Sequence, residues 1–165
     1  MDKQHKTKEM KKIICCLLLA MVLTSCDGLI RKLTPRAEGE VRVGDIIMVE
    51  GEMGVVFAVT SDGKHGKVMS TYQTNCDWNE ARSWCADYGY GWRLPLEDEL
   101  QVICRNKSLL NSALDDGGYT ILGNKYYWAA EEKDENGAWS VSMQGGRTYS
   151  YNKNRDVYVR AVSAF

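Results

Sequence analysis

From Val41 onward, apolar and polar positions alternate in short extended blocks, broken by a central stretch with helical spacing. Val41 to Val49 reads as a first strand, with a turn at Gly44-Asp45. Gly54 to Thr60 is a more continuous apolar run and predicts a largely buried strand. Ser61 to Gly66 interrupts it, and Lys67 to Thr71 resumes the extended pattern. Asp62-Gly63 between β-branched runs predicts a hairpin there. Trp78, Ala81, Cys85 and Tyr88 then recur at three- and four-residue intervals, which places them on one face of a helix over about Asp77 to Tyr88. Trp84 widens that face. Asp77 and Glu80 have the spacing of a capping box, since a side-chain acceptor at the N-cap reaches the amide three residues on.

Gly89 and Gly91 end this helix. Pro95 suits the first turn of a second one, and Glu97, Asp98 and Glu99 favour a helix N-terminus electrostatically. Leu96, Leu100, Ile103 and Cys104 supply its apolar face. A short third helix is expected from Ser108 to Leu114, closed by Asp115-Asp116-Gly117-Gly118. The remainder is extended: Tyr126 to Ala130, Ala138 to Met143, Arg147 to Tyr151, and a final strand from Val157 to Val162. Strands, then two or three helices, then strands again is an α+β order. The first and last strands are expected to pair.

The N-terminal segment has a different character. Met1 to Lys12 is polar with a net positive charge, and Ile13 to Leu23 is an apolar run of eleven residues. That run is short for a membrane-spanning helix, which needs roughly 20 residues, and suits the apolar region of a signal peptide. Leu23-Thr24-Ser25-Cys26 resembles a bacterial lipobox. The resemblance implies lipid on the Cys26 thiol and cleavage just before it, against the alternatives of a retained signal anchor or a soluble secreted product. Residues 1–25 are accordingly expected to be a lipoprotein signal peptide, 26–40 a tether and 41–165 the folded domain. The expected location is the bacterial cell envelope, lipid-anchored in the outer membrane, with the exposed or periplasmic face left open. Asp27, which resembles an inner-membrane retention residue of enteric bacteria, does not settle the membrane.

Composition narrows the class further. The 165-residue chain has a formal charge of -1, and the leader contributes +3, which leaves the remainder near -4. A mildly acidic surface gives no support for nucleic-acid binding. All five Trp and all nine Tyr lie after the leader, which argues for a packed core. Cys15 and Cys16 belong to the leader; Cys76, Cys85 and Cys104 allow one disulfide or none. An exported location permits a bond without naming its partners.

Gly91-Trp92-Arg93-Leu94-Pro95 with Glu99-Leu100, Trp78, Ala81 and Cys85 before it, Asn111 to Leu114 after it, then Tyr127 to Ala130 and Tyr158 to Val162, form an ordered motif set. It resembles a family of bacterial domains found at the C-termini of Legionella collagen-like proteins and as the Fibrobacter succinogenes major paralogous domain. The likeness runs from about Gly54 to Val162. It implies a C-type-lectin-like fold, distantly similar to the formylglycine-generating enzymes, with two or three helices packed on antiparallel strands and hairpins. Two departures stand out: Leu96 replaces the usual Thr-type cap after the proline, and Ala129-Ala130 replaces a Ser-rich pair.

Each candidate for chemistry has a plainer reading beside it. Arg93 and Arg160 are expected to tie loops to carbonyls or a carboxylate, with a clamp on an acidic ligand as the alternative. Trp92, Trp128 and Trp139 read first as core anchors, and Trp92 and Trp128 remain possible ligand contacts. Tyr149 and Tyr151, beside the Gly145-Gly146 turn, are the better candidates for exposed contacts. Asp115-Asp116 and the Glu131 to Asn136 stretch lack EF-hand spacing and read as solvated loops, so no metal site is expected. Nor is any cofactor. One histidine outside the leader, His65, no nucleophile–base arrangement and no CxxC argue against an enzyme. The paired catalytic cysteines of formylglycine-generating enzymes lie late in the chain, whereas nothing after Cys104 here is cysteine. The expected role is a non-catalytic envelope lipoprotein that binds a glycan or a protein. A structural component of a surface complex and a degenerate relative of a modifying enzyme are the alternatives.

Overall fold

A computed structural model describes residues 38–165. The leader, Cys26 and most of the expected tether lie outside the described residues. The first sheet has the order β1-β2-β3-β9, formed by β1 (Ile46–Val49), β2 (Glu52–Val59), β3 (Gly66–Ser70) and β9 (Val162–Ala164). The second has the order β4-β8-β5-β6-β7, formed by β4 (Thr74–Cys76), β8 (Val157–Val159), β5 (Tyr126–Glu132), β6 (Gly137–Ser142) and β7 (Thr148–Asn152). All pairings are antiparallel except β5 with β8. Two helices, α1 (Trp78–Tyr88) and α2 (Glu97–Asp116), pack against these sheets. The arrangement is of the α+β class, two helices packed against an antiparallel and a mixed sheet.

The continuous apolar run in β2 has a direct cause. Val55 and Phe57 face the cluster built with Leu100, Ile103, Leu110 and Leu114 of α2, while Val56 faces a second cluster with Trp78, Ala81 and Cys85 of α1. A strand buried on both faces needs apolar residues at consecutive positions. The Asp62-Gly63 hairpin forms as expected, and β2 pairs with β3 through a register shift between Val56 and Ala58. Helix α1 also begins as its residues dictate, with Asp77 Oδ1 accepting the Glu80 amide at 2.9 Å.

Three sequence expectations are corrected. The proposed third helix is the second half of α2, which runs unbroken for 20 residues. No Gly or Pro interrupts Leu96 to Asp116, and Leu100, Ile103, Leu110 and Leu114 stay on one buried stripe. The first and last strands do not pair. A tight turn at Glu50-Gly51, both with positive φ, folds β1 back on β2, which leaves the free edge of β3 for β9. Finally, Val157 to Val162 is not one strand: it leaves the second sheet after Val159 and enters the first at Val162. The Ser70 amide donates to Ala161 O at 2.8 Å, and Ser70 Oγ accepts the Ala161 amide at 3.0 Å, which pins the crossing.

Helix α2 starts at Glu97, two residues after the proline. Leu96 is its N-cap, in extended conformation and with no side-chain acceptor. The Glu99 carboxylate supplies the return arm, accepting the Leu96 amide at 2.8 Å. Leu96 is 39% exposed, so its leucine side chain contributes little burial. Leu96→Thr should therefore add the missing cap to the Glu99 amide and raise stability by about 0.5–1.5 kcal/mol. An unchanged urea midpoint would show that the cap does not form.

Candidate functional site

The motif around Trp92 builds a buried ionic node. Glu99, 2% exposed, receives both Arg93 terminal nitrogens at 2.8 Å and Lys67 Nζ at 2.7 Å. Burial alone would raise the Glu99 pKa, but these two cations and the Leu96 amide outweigh it and hold the carboxyl at about 2. Arg93 also donates to Leu94 O, and its backbone bridges to Val162, so the node ties the start of α2 to β3 and β9. Of the two readings of Arg93, the structure places it in this network.

Arg160 sits where the last segment crosses between sheets. It is fully buried and donates to Ser70 O at 2.7 Å and to Thr120 O. Burial lowers its pKa to about 10, with Tyr127 and Tyr88 opposing, so it remains a cation at neutral pH. It joins β3, the loop before β5, and β8 to β9.

The tryptophans separate. Trp128 is fully buried and its indole donates to Cys76 O at 3.1 Å; Trp78 donates to Ala129 O at 2.9 Å. Trp92, 3% exposed, packs edge-on against Tyr88 at 4.8 Å. An added Cβ at Gly54 or Gly89 would meet its ring at 2.9 or 2.8 Å, so both glycines make room for it. Both candidate contact rings, Trp92 and Trp128, are thus held inside the core, and neither presents a face to solvent. Trp139 is partly buried against the α2 cluster.

Tyr149 and Tyr151 do come together on an accessible face. Strand β6 lies between β5 and β7, with Tyr126 opposite Ser142, Trp128 opposite Ser140, Ser140 opposite Tyr149, and Ala138 opposite Tyr151. Directly opposed residues share a face, so small side chains in the middle strand are flanked by rings on both sides. The rings close over them. Tyr126 meets Tyr149 at 5.3 Å and Tyr151 at 5.4 Å, both nearly perpendicular, and the buried Trp128 lies 6.4 Å from Tyr151. The Arg155 guanidinium stacks 4.1 Å above Tyr151. Tyr126 is 37% and Tyr149 39% exposed. Partial burial and the neighbouring Tyr126 hydroxyl raise the Tyr151 pKa, so the phenol stays protonated.

This face offers aromatic edges, three hydroxyls and a guanidinium. Those groups suit stacking on an apolar ring face with hydrogen bonds at its rim. Tyr126 and Arg155 were not among the sequence candidates. The alternation of Tyr126 with Trp128 is a readable signal for a shared face, but only the pairing through β6 shows which residues that face meets.

Other candidates carry structure. Glu131 accepts the Glu97 amide at 3.1 and 3.2 Å and so caps α2 from β5. Glu132 pairs with Lys153, and Asp134 accepts the Asn136 amide. Asp115 and Asp116 are exposed at the end of α2. Among the described residues, no group of three or more His, Cys, Asp or Glu side chains is placed to hold a metal ion. Cys76, Cys85 and Cys104 are free thiols. Burial pushes Cys76 up to about 11, helped by Glu80, Asp77 and Asp156, and burial with Cys76 nearby pushes Cys85 up to about 12. Both stay protonated, hence poor nucleophiles, at neutral pH.

A family model described as the Lcl C-terminal domain matches residues 56–163, a span that includes both helices, the ionic node and the tyrosine face. The chain belongs to this family. Membership in the Lcl C-terminal domain family is consistent with a non-catalytic, adhesion-type module. No curated protein matches the chain. Among solved structures, a crystal structure of botrocetin is similar at 11% identity, covering 60% of this chain and 89% of that one, with a TM-score of 0.43.

Proposed function

We propose that this Lcl C-terminal domain is a non-catalytic recognition module of the cell envelope, and that it binds a glycan or a protein through Tyr126, Tyr149, Tyr151 and Arg155. One observation carries the reading: three tyrosines and a guanidinium converge on one accessible sheet face, backed by a buried Trp128. Rigid aromatics lose little conformational entropy on binding, which makes such a cluster efficient per unit area. A glycan array probed with the full chain tests this. Tyr149→Ala and Tyr151→Ala are each expected to weaken the strongest signal at least about tenfold, equivalent to about 1.4 kcal/mol. Binding unchanged in both variants would remove the tyrosine face from the assignment.

The domain is proposed to be tethered through lipid on Cys26, in the outer membrane. The lipobox-like Leu23-Thr24-Ser25-Cys26 supports this reading. Two or more acyl chains give stable attachment where one is marginal. Among the described residues, no helix is long and apolar enough to cross a membrane. Mass spectrometry of the protein from its native host should find a diacylated N-terminal Cys26; an intact leader or a bare thiol would refute the tether.

A second reading, assembly into a surface complex, is favoured by a different patch. Tyr72 and Ile121 are 58% and 48% exposed, and Tyr72 packs edge-on against Tyr119 at 5.9 Å. A specific crosslinked protein partner lost on Tyr72→Ser would favour that role over glycan binding.

A further inference from the structure

Away from the tyrosine face, a cleft of about 360 Å³ opens between the first sheet and the start of α2. Its apolar walls include Phe57, Val59, Val102 and Phe165, of which only Phe57 is fully buried. Folding has therefore left apolar surface facing a concave space, and the volume falls within the roughly 300–1,000 Å³ of small-molecule sites. Gly66 in its lining admits no side chain, since a Cβ there would collide with Ala58 O and sit 2.8 Å from the Phe165 ring.

Lys67 and Asp98 are the charged residues at the rim besides the buried Glu99. The Lys67 side chain is 43% exposed, and its ammonium donates to Glu99 Oε1 at 2.7 Å. Arg93 already contacts both oxygens of that carboxylate, so Lys67 is a second cation on an acid whose charge is met. An ammonium carries three donors. Among the described residues Lys67 spends one of them, on Glu99.

We infer that this cleft binds a small amphipathic carboxylate. Its apolar body lies among Phe57, Val59, Val102 and Phe165, and its carboxylate accepts the remaining hydrogens of Lys67. Asp98 opposes a second anion at the rim, so it weakens the affinity without supplying the contact. The site is separate from the tyrosine face and does not depend on what binds there.

Isothermal titration of the full chain with 3-phenylpropanoate, and with 3-phenylpropanol as its uncharged twin, tests the inference. The acid is expected to bind at least tenfold more tightly than the alcohol. Lys67→Met should reduce the acid to the alcohol's affinity, Asp98→Asn should strengthen acid binding several-fold, and Tyr149→Ala should change neither. Val102→Trp should fill the cleft and abolish binding of both; if that variant fails to fold, Val59→Met narrows the same space from the other wall and is read the same way. No binding of the acid, equal affinity for acid and alcohol, or full binding to a folded cleft-filled variant would each overturn the assignment.

Discussion

Arg93→Met is expected to destabilise the domain by about 3–5 kcal/mol at neutral pH, the range for stranding one partner of a buried ion pair. The asymmetry of the node decides which partner matters more. Glu99 is 2% exposed, whereas the Arg93 and Lys67 side chains are 48% and 43% exposed. Removing Arg93 leaves a buried carboxylate with one ammonium and one amide. Removing the carboxylate's charge by Glu99→Gln leaves two cations that reach water, and should cost less, about 1–3 kcal/mol. Urea denaturation of the two variants gives the order directly; a larger loss in Glu99→Gln would invert the argument.

The same node sets a pH dependence. With the Glu99 carboxyl at about 2 in the folded protein against 4.5 as its ordinary value, the folded state binds the proton less readily than the unfolded one. The stabilisation is complete above about pH 5, and is lost as pH falls from there through the folded value, up to about 3 kcal/mol in all. In Arg93→Met the carboxyl should titrate higher, so the gap between variant and wild type should narrow on acidification from pH 7 to pH 4. A constant gap across that range would mean that Arg93 acts through packing and not through charge.

Arg160→Ala is expected to cost about 3–5 kcal/mol, because a buried carbonyl and a second, partly buried one lose their donor and a cavity replaces the side chain. Ser70 O and Thr120 O are the carbonyls concerned. Arg160→Met should cost less than Arg160→Ala. It keeps most of the volume and removes a buried charge for which no ion pair with a carboxylate forms among the described residues. Thermal unfolding of the pair separates the two effects. If Met is as harmful as Ala, the hydrogen bonds dominate; if Met is neutral, the guanidinium serves specificity of the strand crossing more than stability.

Those two arginines show what could be read early. Both stand in apolar motifs, which pointed to structural donors, and both donate hydrogen bonds within the domain, Arg93 to Glu99 and Leu94 O, Arg160 to Ser70 O and Thr120 O. Their partners were less legible. Glu97, Asp98 and Glu99 are three acids in a row, and only the third falls three residues after the N-cap, where a side chain reaches back to the cap amide and on to Arg93. The tyrosine face was half legible: alternation put Tyr149 and Tyr151 on one side of a strand, but Tyr126 lies more than twenty residues earlier, and Arg155 lies beyond the strand's end. The tryptophans were ambiguous because an indole suits a core and a binding platform equally well until its burial is known.

Local order was written in the chain itself. Helix α1 with its Asp77 cap, the Asp62-Gly63 hairpin, the doubly buried β2 and the ordered motifs of the family all depend on neighbours within a few residues, where periodicity and turn chemistry act. Folding in three dimensions settled the rest: which edge of β3 accepts β9, where Val157 to Val162 changes sheet, and which rings meet over Ser140 and Ser142. Strand partners compete across long stretches of chain for the same hydrogen bonds, and the winner depends on the packing of every other element, so no short window of residues records it.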